Sequence, residues 1–399
     1  MLNLMAITMT VMGRARLCKQ MTTANINIQM LRWARERSGL SMPEFAKKCG
    51  VSEERLQEWE EGKRPMTFKQ AMDYAVKAHV PFGYLFLLQP PVDELPIPDL
   101  RTVDSKGVGR PSAALVEVIK LMQLRQEWFR DHLRLQMAEP NSILGRFDAR
   151  SDAQKIVKDM RAKLGVPEHP TRGNWETYYR ELVRRIEACG ILVMRQSDEG
   201  HHTRPLSVDE FRGFAMVDSY APLLFVNDAD APGARLFTLI HELCHIWIGQ
   251  SGISDGGVAN HRQEETLCNA VATEFLVPAS EFRQMWREEY EQWQDNLAEL
   301  EAHFHVSTWV LARRAQTLGY ISQEEYVEYV QKLRREYKER PKKGGGPDYY
   351  KVKNSQISHL FSRAVVSEAL SGQLLLRDAN HLLGGIKPGK IAQFSRELG

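Results

Sequence analysis

The chain has 399 residues, a length of two or three domains at about 150 residues each with enough material for a substantial core, which excludes a single small module. Its 53 basic and 51 acidic residues nearly cancel, so no global charge marks the whole protein as a binder of nucleic acid or of a membrane surface, and any such role must come from a local patch. Cys18, Cys49, Cys189, Cys244 and Cys268 lie far apart, without the tight paired spacings of a disulfide framework or a thiolate zinc knuckle, which suits a reducing cytoplasm.

Residues 1–25 begin MLNLMAITMTVMGRARLCKQMTT, with the apolar stretch before the arginines and no A-x-A site after it. That order is the reverse of a secretory signal, so the segment reads as a tail, or as an upstream start with Met21 the more natural initiator. No apolar run approaches the roughly 18 residues needed to cross a bilayer, and LFTLIHELCHIWIG is interrupted by ionisable residues that are costly in lipid; no membrane partner is expected.

From 26 to 88 the spacing predicts five short helices. Leu31 and Ala34, then Phe45, Ala46 and Cys49, then Leu56 and Trp59, then Ala71 and Ala75 recur at three or four residues. Ser41 and Ser52 stand at N-cap positions, and Gly50 and Gly62 just past helix ends. The connector over 89–110 carries Pro90, Pro91, Pro96 and Pro98 and cannot stay helical, which predicts a domain boundary. A helical linker region follows over 111–173, opened by a long helix with Leu115, Val118, Met122, Phe129 and Leu133 on one face and Lys120, Arg125 and Arg130 elsewhere.

At 174 a domain begins that runs to 320, and its period changes. A helix bearing Leu182 and Ile186 ends at Gly190, and ILVMR, GFAMV and PLLFVN follow as β-prone runs bounded by Gly, Pro, Asn and Asp. They form a small sheet leading into the helix of HELCH, residues 241–245. Beyond it the chain is helical again, and 321–399 is a helical carboxyl-terminal region hinged at PKKGGGP, residues 341–347. The class is α+β and predominantly helical, with a small β-sheet in the middle domain.

On a helix, His241 and His245 fall about 40° apart, so both imidazoles reach one ion, while Glu242 projects beside them. That is the arrangement of a zinc site (Zn2+) whose carboxylate takes a proton from water without displacing it. A catalytic zinc takes a third protein ligand. Glu265 opens the next candidate helix, HRQEETLCNAVATEFLVP, after a loop, GQSGISDGGVAN, long enough to reverse the chain, with Asn269 one turn further on the same face. Glu265 is the expected ligand, with Glu264 and His261 as substitutes. Such a motif also arises by chance on an amphipathic helix; the strand before it, the apolar spacing around it and the carboxylate after it favour the metal.

PLLFVN could be an edge strand beside the metal helix, where an extended substrate would pair with it, or equally plain core structure, its place in the sheet not being readable from the sequence. Tyr220 and Arg235 could stabilise an oxyanion; His201, His202 and His303 read as surface residues, and Cys244 and Cys268 as small buried residues, although a redox switch beside the metal is the alternative.

RLFTLIHELCHIWIG followed by EETLCNAVATEFLVP resembles the ImmA/IrrE family of metallopeptidases, whose pattern is a hydrophobic helix with HExxH, then E-x-x-x-N ahead of a small-residue helix ending in Leu-x-Pro. The resemblance covers about 174–320; Val271 stands where the family usually has Phe. It implies His241, His245 and Glu265 as zinc ligands, Glu242 as catalytic base, and a protein or peptide substrate, typically a helix-turn-helix repressor. ARERSGLS, KKCGVS and LQEWEEGKRP resemble the Cro/repressor (XRE) type of helix-turn-helix domain, and the pairing joined by LPIPDLRT resembles a subgroup linked to phage or toxin–antitoxin regulation.

Double-stranded DNA is then a further expected partner, met by Ser52, Glu53, Arg55, Lys63 and Arg64, with Lys47, Lys48 and Lys69 on the rim. A glutamate can accept from cytosine N4, but Glu53, Glu54, Glu58, Glu60 and Glu61 would face phosphates, and Met42 and Pro43 stand where a backbone-touching glutamine is common. The domain could instead serve a homodimer or recognise another repressor. The competing reading of the whole is a DNA-binding regulator or antitoxin with a structural or vestigial metal site.

Overall fold

The computed structural model describes residues 23–91, 97, 111–198, 206–254, 263–339 and 355–398. Most of the expected tail and connector, the PKKGGGP hinge, His201, His202 and His261 lie outside the described residues. Contacts divide the chain into two units, residues 1–93 and 94–399.

In the first unit, helices α1 (Ile28–Arg37), α2 (Met42–Cys49), α3 (Glu53–Glu60) and α4 (Phe68–Ala78) are followed by a 3₁₀ helix, Phe82–Phe86, as the fifth helical element. Short polar side chains start them: Asn27, Ser52 and Thr67 accept from first-turn amides of α1, α3 and α4, and Ser41 forms a capping box with Glu44. Gly50 stops α2 at φ 70°, a left-handed cap that costs glycine nothing. Leu31, Ala34, Phe45, Ala46, Leu56, Trp59, Ala71 and Ala75 form the core as their spacing predicts, with Cys49 only partly buried against it.

Glu60 does not face phosphates. It is buried and accepts from Nε and Nη2 of Arg35, at 2.7 and 3.0 Å, and from the Tyr74 hydroxyl at 3.0 Å. The sequence expectation for this carboxylate is corrected by its position one turn after Leu56, on the core side of α3.

The second unit is built on a four-stranded sheet, β1 (Leu192–Gln196), β2 (Gly213–Met216), β3 (Leu223–Asn227) and β4 (Gly252–Ser254), in the order β1-β3-β2-β4. The β1–β3 pair is parallel and the other two are antiparallel. PLLFVN is therefore an interior strand, not an edge: Phe225 lies between Met194 of β1 and Phe214 of β2. The edges of the described sheet are β1 and β4, and β4 lies in the segment expected as plain loop.

Alternation along the strands feeds two cores. Val193, Ala215, Leu224 and Val226 point to the front, where α6 (Ala153–Leu164), α7 (Trp175–Ala188), α8 (Pro232–Trp247), α9 (Gln263–Leu276), α10 (Ala279–Met285), α11 (Leu297–Phe304), α12 (Thr308–Thr317) and α13 (Gln323–Glu339) contribute. Leu192, Met194, Phe214, Met216, Leu223, Phe225 and Ile253 point to the back, covered by α5 (Ala113–Leu135), α14 (His359–Leu370), α15 (Leu376–Leu382) and α16 (Ile391–Glu397).

The expected boundaries at 173 and 320 thus separate segments that share cores. Helix α5 also ties the back layer with polar groups: Gln126 Nε2 donates to the carbonyls of Met216 and Ala221 at 2.8 and 2.9 Å, and buried Arg125 donates from Nε to the Leu382 carbonyl at 2.9 Å. Burial pulls the Arg125 guanidinium down to about 10.

Candidate metal centre

Helix α8 starts on Pro232 at its first turn, where a missing N–H is harmless. Leu236, Leu239, Ile240, Leu243, Ile246 and Trp247 are all buried, because the helix is wedged between the sheet and α9. Wedging fixes the rotation of α8 and turns His241 and His245 toward the first turn of α9.

There Glu265 meets both. His241 Nε2 stands 3.2 Å from Glu265 Oε2 and His245 Nε2 3.1 Å from Oε1, with ring centroids 5.2 Å apart. The three residues offer ligand atoms lying within 4.8 Å of one another, and each is at most 2% exposed. Among the described residues, no ring nitrogen of either histidine and not Glu265 Oε1 makes a well-formed hydrogen bond.

The electrostatics are lopsided in a telling way. Burial works to raise the Glu265 carboxyl, but the two imidazoles outweigh it and hold the group far below the ordinary carboxylate range. Burial works to lower His241, and Glu265, with a smaller push from Glu242, leaves it raised. Buried polar atoms that converge without hydrogen bonds are expensive. A divalent cation satisfies all three at once, and two imidazole nitrogens with a carboxylate oxygen are a donor set that fits zinc.

Glu242 is fully buried and outside that triad. Its carboxylate lies against the backbone of β2: a Cβ at Gly213 would stand 2.7 Å from Glu242 Oε1, 2.7 Å from Thr238 Cγ2 and 2.8 Å from the Phe225 carbonyl. Glycine is required here by close approach. Of the substitute ligands, Glu264 is half-buried and outside the triad. Asn269 lies one turn beyond Glu265, with its Oδ1 buried and making no hydrogen bond among the described residues.

The expected oxyanion residues are engaged elsewhere. Tyr220 sits in the turn between β2 and β3 with the Arg134 guanidinium 5.0 Å over its ring, and Arg235 pairs with Asp228 and donates to the Asp230 carbonyl at 2.9 Å. Sequence reading missed Arg313 of α12. It is buried, lies 4.7 Å over the Phe237 ring, bears electrostatically on His241, and leaves Nη1 without a hydrogen bond among the described residues. The signal was present in VLARRA, two arginines inside an apolar helical run; the second, Arg314, pairs with Glu274 of α9.

Cys244 and Cys268 are both buried, and burial, reinforced by the neighbouring Cys244 thiol, pushes Cys268 well up. Protonated thiols in a core behave as small apolar groups. His303 is not a plain surface residue: its Nε2 lies 3.0 Å from Glu281 Oε2.

In the first unit, the residues expected to meet DNA are brought onto and beside α3, but their charges are paired locally. Ser52 caps the helix at Arg55 N, 3.3 Å away, and Glu53 is exposed in its first turn. Arg55 and Arg64 lie 3.4 and 3.7 Å from Glu58, and Lys63 is 2.6 Å from Glu61.

Comparison with known families agrees with both halves of this description. Residues 186–316 match the peptidase M78 family model, described as IrrE N-terminal-like domain, and residues 31–85 match a helix-turn-helix model. Residues 357–397, the helices covering the back of the sheet, match a domain of unknown function. No curated protein matches the chain. The chain thus links a helix-turn-helix domain to a metallopeptidase-like domain, the architecture its motifs predict.

Proposed function

We propose that the protein is a zinc-dependent endopeptidase that cuts a protein substrate, of the class of helix-turn-helix repressors, under control of its own helix-turn-helix unit. One observation carries the reading: two imidazoles and a carboxylate from separate helices converge in a buried position that their own hydrogen bonding does not satisfy, with a second carboxylate alongside.

His241, His245 and Glu265 would hold the ion. Bound there, zinc supplies Lewis-acid polarisation of a peptide carbonyl and acidifies water. Glu242 removes a proton from the attacking water and delivers it to the departing amine, so one carboxylate serves as base and then as acid. The β2 backbone at Gly213 holds that carboxylate in place from one side. Arg313 supplies positive charge to the carbonyl oxygen as it becomes an oxyanion. An extended substrate pairs along β4, an edge of the described sheet next to β2, since PLLFVN, the strand considered for this role from the sequence, is interior.

The substrate class rests on the ImmA/IrrE resemblance. The test is metal analysis beside cleavage of helix-turn-helix repressors encoded near the protein. Wild type is expected to carry zinc and cleave; Glu242→Gln is expected to carry zinc and not cleave. Undiminished cleavage by that variant would remove the mechanism.

A further inference from the structure

We propose that His169, Glu281 and His303 form a second site for a divalent cation of the imidazole-preferring kind, such as zinc, nickel or cobalt. The three come from different elements: His169 from the loop between α6 and α7, Glu281 from α10 and His303 from α11. His169 Nε2 and His303 Nε2 each stand 3.0 Å from the same oxygen, Glu281 Oε2, and their ring centroids are 4.6 Å apart.

These spacings parallel the 3.1 and 3.2 Å of the buried triad. The donor set is also the same, two imidazole nitrogens and a carboxylate, with ligand atoms within 4.8 Å of one another.

The hydrogen bonds orient the His169 ring for a cation. His169 Nδ1 lies 3.2 Å from the Pro170 carbonyl, an acceptor, so Nδ1 carries the proton. With Nδ1 turned to that carbonyl, Nε2 is the ring nitrogen that faces Glu281 Oε2, 3.0 Å away, where it can share an ion with the carboxylate. A backbone carbonyl on the far nitrogen is also the usual orienting partner of a metal-bound histidine. Glu168 brings a second carboxyl group within hydrogen-bonding reach of Glu281. Arg161, the neighbouring guanidinium, is spent on the carbonyls of Glu168 and Phe275, at 2.8 and 2.9 Å. The side chains are 16%, 27% and 37% exposed, so solvent can enter and water can fill the remaining coordination positions.

A cation here would clamp the loop after α6 to α10 and α11, immediately downstream of the helix that carries Glu265. The site is structural in character and does not depend on peptidase activity.

The experiment is metal content of the full-length protein after loading with Zn2+ and gel filtration, with folding checked by circular dichroism, repeated by Co2+ titration. Wild type is expected to hold two equivalents, His303→Ala one and His241→Ala one; Glu281→Gln serves as the second variant at the new site and is expected to match His303→Ala. Co2+ is expected to give two absorption bands, one lost in each single variant. One equivalent in wild type, lost with His241→Ala and unchanged by His303→Ala and Glu281→Gln, overturns this proposal and leaves the peptidase reading standing. One equivalent lost with His303→Ala but kept in His241→Ala upholds it and removes the peptidase centre instead.

Discussion

Gly213 and Glu242 touch across the β2–α8 interface so closely that a single added carbon on the glycine would lie 2.7 Å from the carboxylate oxygen. Replacing Gly213 by alanine must therefore move either the strand or the carboxylate. The expected result is a folded protein destabilised by about 1–3 kcal/mol, the usual range for overpacking, with normal zinc content and cleavage reduced far more than stability. Thermal melts and a cleavage assay on one preparation check it; unaltered cleavage would mean that Glu242 is not the proton carrier.

Glu265 is the proposed third ligand, which the HExxH motif alone does not contain. Glu265→Gln keeps the shape but removes the charge that faces both imidazoles at 3.1 and 3.2 Å. Zinc retention after gel filtration is expected to fall at least tenfold, and the chelator-induced drop in Tm seen for wild type is expected to vanish, since a ligand that binds only the folded state stabilises it by mass action.

Arg313→Met preserves much of the side-chain volume under Phe237 and removes the guanidinium. Cleavage is expected to fall by about 100-fold or more, the scale on which a single oxyanion donor acts, with zinc content unchanged. Equal loss of zinc would instead assign Arg313 to holding the site together.

Glu187 of α7 accepts from His359 N at 3.1 Å and so ties α7 to the start of α14. Burial pushes its carboxyl up to about 7, against hydrogen bonds from Ser358, His359, Leu360 and Val193 that favour the charged form. The folded state therefore holds this proton more tightly than the unfolded chain, whose value is near 4.5. The stabilisation is full below pH 4.5 and is lost as pH rises through about 7, at no more than about 1.4 kcal/mol per pH unit. Glu187→Gln should flatten that part of the Tm profile between pH 5 and 7, measured as the difference from wild type; parallel profiles would show that the carboxyl titrates normally.

In the first unit, Arg35→Ala leaves Glu60 as a buried carboxylate whose remaining hydrogen-bond partner, among the described residues, is Tyr74. The expected cost to that unit is about 3–5 kcal/mol, while Glu60→Gln, which keeps hydrogen-bonding atoms, should cost less. Chemical denaturation followed by tryptophan fluorescence, with Trp33 and Trp59 as local reporters, separates the two.

The convergence of His241, His245 and Glu265 was legible because its geometry is local: four residues of helix place two imidazoles together, and a loop of suitable length brings back one carboxylate. Other features failed for identifiable reasons. PLLFVN is apolar without alternation, and β3 is buried at every position, the mark of a strand covered on both faces; that pattern itself argued against an edge. In β4, Gly252–Ser254, only Ile253 is strongly apolar, so nothing local announces a strand. Glu60 was counted with its acidic neighbours when its helical phase put it with Leu56 and Trp59. Arg313 and the His169, Glu281 and His303 cluster are assembled by tertiary packing of separate helices, which no spacing along the chain encodes.

The sheet is lined on its reverse side by the last helices of the chain, and Phe214 and Phe225, stacked with centroids 4.7 Å apart, lie under them. Phe214 follows directly on Gly213, so the carboxyl terminus braces from behind the strand whose front borders Glu242. Trimming the protein to the span that matches the peptidase family would strip that brace and bare an aromatic surface to water. The smallest stably folded form of the metallopeptidase-like domain should consequently extend well past residue 316, to the end of the helices at 397.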